Sequence, residues 1–201
     1  SNLTSDEIKM RYSAEDVPMI LSSEPGVWAY SESGNGTGYS YVTIRGFDQS
    51  RIAVFFDGVP LNDNESHQVY WVDHGDLLSD VDNIQIQRGI GNNLYGSSAF
   101  GGSINVNTKI ASDEREISGT IGSGDWNTQK IRASYKSGSD LGENLSLAVR
   151  LSDIKSDGYR QFHDSYQRGF SLGLEHRGKA KNQLRALIGY ENTDLLWDGI
   201  Y

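Results

Sequence analysis

Between Asn62 and His74 the chain reads NDNESHQVYWVDH, which gathers two imidazoles, His67 and His74, and three carboxylates, Asp63, Glu65 and Asp73. Imidazole and carboxylate groups are ordinary ligands of divalent metals, but their spacing here matches no recognised metal-binding pattern. The residues therefore read as solvated loop positions, and no metal is expected. The same stretch holds Tyr70 and Trp71, and aromatic rings mixed with polar groups on a loop suit the binding of a small molecule. A second stretch of that kind runs from Tyr30 to Tyr39, where SESGNGTG is flanked by tyrosines. The residues expected to face a ligand are thus Tyr30, Tyr39, His67, Tyr70, Trp71 and His74.

Catalytic patterns are absent. Gly34-Asn35-Gly36-Thr37-Gly38 lacks the GxGxxG spacing, no GK[ST] follows a glycine run, and no G-x-S-x-G elbow occurs. With 0 cysteines there is neither a thiolate nucleophile nor a disulfide nor a thiolate metal site. No pair of carboxylates is singled out by spacing as an acid/base couple. The chain is expected not to be an enzyme and to need no cofactor. Its net charge of −9 argues against nucleic acid, whose binders show a basic face.

The elements that must carry these residues divide near residue 110. Glycine is abundant, at 23, and proline scarce, at 3, a balance that favours short strands and turns. In the first part, Ala14 to Ser22 is a helix candidate, with Ser13 as N-cap, acidic residues in its first turn and Pro25-Gly26 as its stop. Strand candidates follow at Tyr41–Arg45, Ile52–Phe56, Val59–Leu61 and Asn83–Arg88, and Leu77–Val81 is a further apolar piece. Asp57-Gly58 between apolar strands is a hairpin turn signal. The densest glycine string lies between Arg88 and Lys109, RGIGNNLYGSSAFGGSINVNTK, and feeds the alternating strand Ser103–Thr108.

The second part alternates apolar with polar or small residues. Ile131, Ala133 and Tyr135 alternate with Arg132, Ser134 and Lys136, and Leu145, Leu147, Val149 and Leu151 with Ser146, Ala148, Arg150 and Ser152. Phe170, Leu172 and Leu174, then Leu184, Ala186, Ile188 and Tyr190, repeat the pattern, and Ile117–Ser123 is a glycine-diluted copy. A soluble sheet with one face on a core also alternates. The aromatic and aliphatic faces, and the contrast of compact connections (Lys136–Glu143, His176–Lys181) with the long Asp153–Ser165, fit a membrane barrel. No apolar run reaches the ~18 residues of a spanning helix. About five strands cannot close such a barrel, which needs at least about eight, so the wall is expected to continue after Tyr201.

The chain resembles the TonB-dependent outer-membrane receptors over essentially its whole length. The motifs fall in order: Pro25-Gly26-Val27, Ile44-Arg45-Gly46, Asp57-Gly58-Val59-Pro60-Leu61-Asn62, Ile84–Gly89, Leu94-Tyr95-Gly96, Ala99–Gly102, Ile104-Asn105 and Thr108-Lys109. Each is weak alone, whereas the ordered set is specific. Two departures stand out: Ile90 where the family usually has proline, and Gln87 where an apolar residue is common. The resemblance implies an α+β plug domain over 1–110, then over 111–201 the first antiparallel strands of a transmembrane β-barrel. It implies that Gly46, Asp57, Gly58, Gly89, Tyr95, Gly96, Gly101 and Gly102 shape the plug. It also implies that Arg45 and Arg88 lock the plug to wall carboxylates; on residue type alone they are strand-end surface arginines. The implied partners are TonB, outer-membrane lipid and a small-molecule or chelate substrate, and the implied place is the bacterial outer membrane. No TonB box is evident in Ser1–Tyr12. Iron-siderophore, haem, cobalamin and glycan import all stay open, with iron-siderophore leading. A soluble secreted β-rich binding or adhesion module is the competing expectation.

Overall fold

The computed structural model describes residues 1–89, 99–109, 112, 114–138, 140–142, 144–161, 163–177 and 183–195, the last stretch by its backbone. The chain divides into two compact units, Ser1–Thr108 and Lys109–Tyr201.

The first unit is built on a mixed sheet. Strands β1 (Asn2–Thr4), β4 (Ile52–Phe56), β5 (Val59–Pro60), β6 (Val81–Arg88) and β7 (Gly102–Thr108) lie in the order β1-β6-β7-β4-β5. Strands β4 and β7 pair in parallel, Ile52 opposite Gly102 through Phe56 opposite Val106, and the other pairings are antiparallel. Alternation turns Ile52, Val54, Ile84, Ile86, Ile104 and Val106 inward, where all are buried. Two helices cover this face, α1 (Ser5–Arg11) with Ile8 and α2 (Val17–Leu21) with Val17, Ile20 and Leu21, and these residues join the same core. Strands β2 (Val27–Ser31) and β3 (Ser40–Ile44) form a separate hairpin.

Local chemistry explains these elements. Thr4 and Glu7 make a reciprocal capping box that starts α1. Helix α2 is shorter than the expected Ala14–Ser22 and has Asp16, not Ser13, at its N-cap position, without a side-chain capping bond, because Pro18 sets its first turn. The Asp16 carboxylate accepts from Ser40 Oγ (2.6 Å), tying the helix start to β3. Strands β1 and β2 and helix α1 are additions to the expected elements, and Leu77–Asp80 is a 3-10 turn.

At the β4–β5 turn, Asp57 (φ 48°) and Gly58 (φ 83°) both have positive φ, the geometry of a tight type I′ hairpin. The Asp57 carboxylate accepts from the Thr108 amide (2.8 Å) and the Thr108 hydroxyl, fixing the end of β7. Gly102 sits at φ 144°, where a Cβ would lie 2.2 Å from the Gln87 carbonyl oxygen; only glycine lets β6 and β7 close there.

The second unit is a meander of five antiparallel strands in sequential order: β8 (Glu116–Ser123), β9 (Gln129–Lys136), β10 (Leu145–Ser156), β11 (Ser165–Arg177) and β12 (Gln183–Leu195). Its two faces invert the usual pattern. Ile117 and Ile121 are 77% and 86% exposed, and Ile131, Leu151, Phe170 and Leu174 are exposed as well. On the opposite face Lys130, Ser134, Arg150, Ser152, Gln167 and Glu175 are buried. The cross-strand register collects the apolar side chains into rows, such as Ile117–Tyr135–Val149–Leu172. Strands β10 and β11 run past their expected ends, which shortens the connection between them to 157–164.

Candidate functional site

The segment from Asn62 to His74 is irregular, yet its backbone is closely held. Asn62 accepts from the Val54 amide (2.7 Å) and donates to the Ile52 (2.9 Å) and His67 (2.9 Å) carbonyls, stitching the loop to the side of β4. Asp63 Oδ1 accepts from the Ser66 amide (2.7 Å), the Ser66 hydroxyl (2.9 Å) and the Glu65 amide (3.1 Å). These bonds, led by the Ser66 amide, hold its carboxyl below the usual range, so the tip of the loop is anionic. His67 is exposed, with φ 57°, and lines an open pocket of about 190 Å³ with Ser50, Phe55, Pro60, Asn62 and Asp63. Tyr70 is exposed too, its hydroxyl near Ser66 Oγ (3.4 Å).

Trp71 corrects an expectation. It is 1% exposed, part of the core, and donates from Nε1 to the buried Gln49 Oε1 (3.3 Å). Gln49 in turn donates to the Val69 carbonyl (3.2 Å), so Trp71 anchors the segment and does not face a ligand. His74 is half-buried; desolvation pushes its imidazole below the usual range, opposed by the neighbouring Asp73. Among the described residues no group of three or more His, Asp or Glu side chains is arranged to hold a metal.

The tyrosines of the other stretch belong to the β2–β3 hairpin. Tyr30 lies within β2, not on a loop, paired with Tyr41 of β3; Tyr39 lies at the end of the 32–39 connection, and both are exposed. That connection is internally bonded: Ser33 Oγ donates to the Thr37 carbonyl (2.6 Å), and Asn35 Oδ1 accepts from Thr37 Oγ1 (3.0 Å) and the Thr37 amide (3.3 Å). It also rests on the start of α2, where the Asp16 amide donates to the Gly36 carbonyl (2.8 Å).

Arg45 and Arg88 converge on the Pro25-Gly26 turn. Arg88 Nη1 donates to the Pro25 carbonyl (2.6 Å), and the Arg45 amide donates to the Gly26 carbonyl (2.7 Å). Gly89 packs against the Arg45 guanidinium, where a Cβ would sit 3.3 Å from Nη1. Among the described residues neither arginine makes an ion pair, so two cations sit at one corner. Gly46 turns the chain beside Arg45, and Gly101 is buried under Phe47. Tyr95 and Gly96 lie outside the described residues.

Sequence reasoning missed Asn62 as the stitch of the loop and Gln49 as the anchor of Trp71. Asn62 carried a signal, since it ends the Asp57–Asn62 motif; Gln49 carried none.

A small α+β unit and an antiparallel meander with one exposed apolar face are the architecture of a plug domain and of an incomplete membrane barrel. The TonB-dependent Receptor Plug Domain profile matches residues 1–103. The chain belongs to the TonB-dependent receptor family. It is 27% identical to the ferric enterobactin receptor PirA of Pseudomonas aeruginosa over 97% of this chain and 27% of that protein. It is 31% identical to the vitamin B12 transporter BtuB of Vibrio cholerae over 88% of this chain and 27% of that protein. Among solved structures, the pyoverdine outer membrane receptor FpvA of P. aeruginosa bound to pyoverdine superposes with a TM-score of 0.77 at 15% identity, covering 96% of this chain and 27% of that one. The chain thus spans about a quarter of the length of the curated relatives it matches. Those relatives are receptors and transporters by name, not enzymes.

Proposed function

We propose that the protein is an active importer of the bacterial outer membrane. It binds a scarce or large substrate, in the first instance an iron-siderophore-type complex, and passes it to the periplasm with energy transmitted by TonB. In this reading residues 1–110 plug a lumen and residues 111–201 begin its wall. The carrying observation is the inverted second unit, with isoleucines 77% and 86% exposed on one face while Arg150 and Glu175 are buried on the other. A soluble binding or adhesion module would strand that apolar face in water, whereas a bilayer rewards it.

Substrate meets the anionic tip around Asp63 and His67, Tyr70, and the hairpin tyrosines Tyr30 and Tyr39. The arginine corner serves a separate role in this reading: Arg45 and Arg88 retain the plug, the locking role that the family resemblance implies for them. The test is fractionation of the complete gene product, with uptake of labelled ferric chelates under iron limitation, in cells with and without TonB. Outer-membrane recovery and TonB-dependent uptake are expected; recovery with soluble periplasmic protein overturns the reading. Arg88→Ala is expected to weaken plug retention, and unchanged protease protection of the plug removes the locking role.

A further inference from the structure

The β2–β3 hairpin, whose Tyr30 and Tyr39 the importer reading sets against substrate, also carries a feature that bears on the charge of that substrate. Cross-strand register puts Trp28 opposite Thr43 and Tyr30 opposite Tyr41, and the Glu32 amide donates to the Tyr39 carbonyl (2.9 Å), so Trp28, Tyr30, Glu32, Tyr39 and Tyr41 share one face. The other face, with Val27, Val42 and Ile44, is buried in the core. The outward rings form a ladder: Trp28 and Tyr30 are 5.0 Å apart between centroids, and Tyr30 and Tyr41 are stacked at 4.9 Å. Trp28 is 60% exposed and Tyr30 42%.

At the head of the ladder stands one carboxylate. Tyr41 donates its hydroxyl to Glu32 Oε1 (3.0 Å). Burial, with this bond to Glu32, pushes the Tyr41 hydroxyl up to about 12, so it stays a donor at any physiological pH. No lysine or arginine occurs between Val27 and Ile44, and Glu32 makes no ion pair among the described residues. The 32–39 connection is pre-set by its own hydrogen bonds, which lowers the ordering cost of binding. Electron-rich ring faces beside a lone carboxylate are complementary to an organic cation, and repel an anion.

We propose that this face is a cation-recognition site, taking an ammonium or guanidinium group over Trp28 and Tyr30 with Glu32 as the counter-charge. The site rests on the importer reading only for what carries the cation: the imported molecule presents a positively charged group here, and a polyanionic chelate is discriminated against.

The test uses the intact receptor in detergent, titrated with Nα-acetyl-arginine amide and with its neutral isostere Nα-acetyl-citrulline amide, following the tryptophan emission that Trp28→Phe removes. The arginine compound is expected to give a saturable change with roughly tenfold tighter binding than the citrulline compound, and Glu32→Gln to erase most of that difference. Equal binding of the two compounds overturns the proposal. So does a lack of response to either, which means that the face is covered in the intact receptor. Uptake is read separately. Cation selectivity without any TonB-dependent uptake strikes the importer reading alone, and uptake without cation selectivity strikes the site alone.

Discussion

Replacing Gly102 by alanine is expected to be among the most damaging single-methyl changes in the first unit. The new Cβ would lie 2.2 Å from the Gln87 carbonyl oxygen, where even a close C···O contact needs about 3.3 Å, so β6 and β7 must part by roughly 1 Å. Gly102 is paired with both Arg88 of β6 and Ile52 of β4, so the displacement is felt on two sides. Two ladder hydrogen bonds at about 1 kcal/mol each, with about 1–3 kcal/mol for a backbone region open mainly to glycine, give a loss of about 3–5 kcal/mol. A domain of this size is stable by about 5–15 kcal/mol, so the variant sits near the edge of folding. Gly58→Ala is the control. Its φ is also positive, at 83°, but nothing lies within 4 Å of the added Cβ, and only about 1–2 kcal/mol of backbone strain is expected. Urea unfolding of segment 1–108, wild type against both variants, measures the two losses. A Gly102→Ala loss below about 1 kcal/mol, or one no larger than that of Gly58→Ala, refutes the steric argument.

Three further outcomes are expected. Trp71→Ala should destabilise the same segment by about 3–5 kcal/mol, and Trp71→Phe by about 1–3 kcal/mol because Gln49 loses its donor; urea midpoints check both. His74 is held below its unfolded value, so the unfolded chain binds more protons as the pH falls. Its contribution is complete above about pH 6.5 and is lost as pH drops from there through the folded value; His74→Gln should flatten that part of a stability–pH curve. Leu151→Lys, at a side chain 54% exposed in the uncharged outward row Ala133–Leu151–Phe170, should oppose membrane insertion by about 2–4 kcal/mol, read as loss of the heat-modifiable folded band on a gel.

How far the sequence could be read depended on whether the deciding contact was local. Strands β4 and β6 to β12 announce themselves by period-2 alternation, a property of adjacent residues. Helix α1 was equally local, since Thr4 and Glu7 spell a capping box, but Ser1–Tyr12 was weighed only for a TonB box. Strand β2 was hidden because Trp28 and Tyr30 are large rings on an exposed face, where alternation points outward. Trp71 was misjudged because its neighbours Tyr70 and Asp73 are exposed, while its burial is set by Gln49, distant in the chain. The convergence of Arg45 and Arg88 on Pro25-Gly26, and of Glu32 on Tyr41, needs strand register, which no single-sequence pattern fixes.

The strand order of the first unit makes its resistance to force depend on where the force is applied. Its first strand is an edge of three residues, Asn2 opposite Gln85 to Thr4 opposite Asn83, so tension at that end opens the pairs one after another, like a zip. Its last strand is the sheet's middle, bonded to β6 on one side and to β4 on the other, so tension at Thr108 loads two ladders together in shear. The unit is therefore weak at the end where the sequence enters it and strong at the end that leads into the second unit, and small loads can unwind the first without disturbing the second.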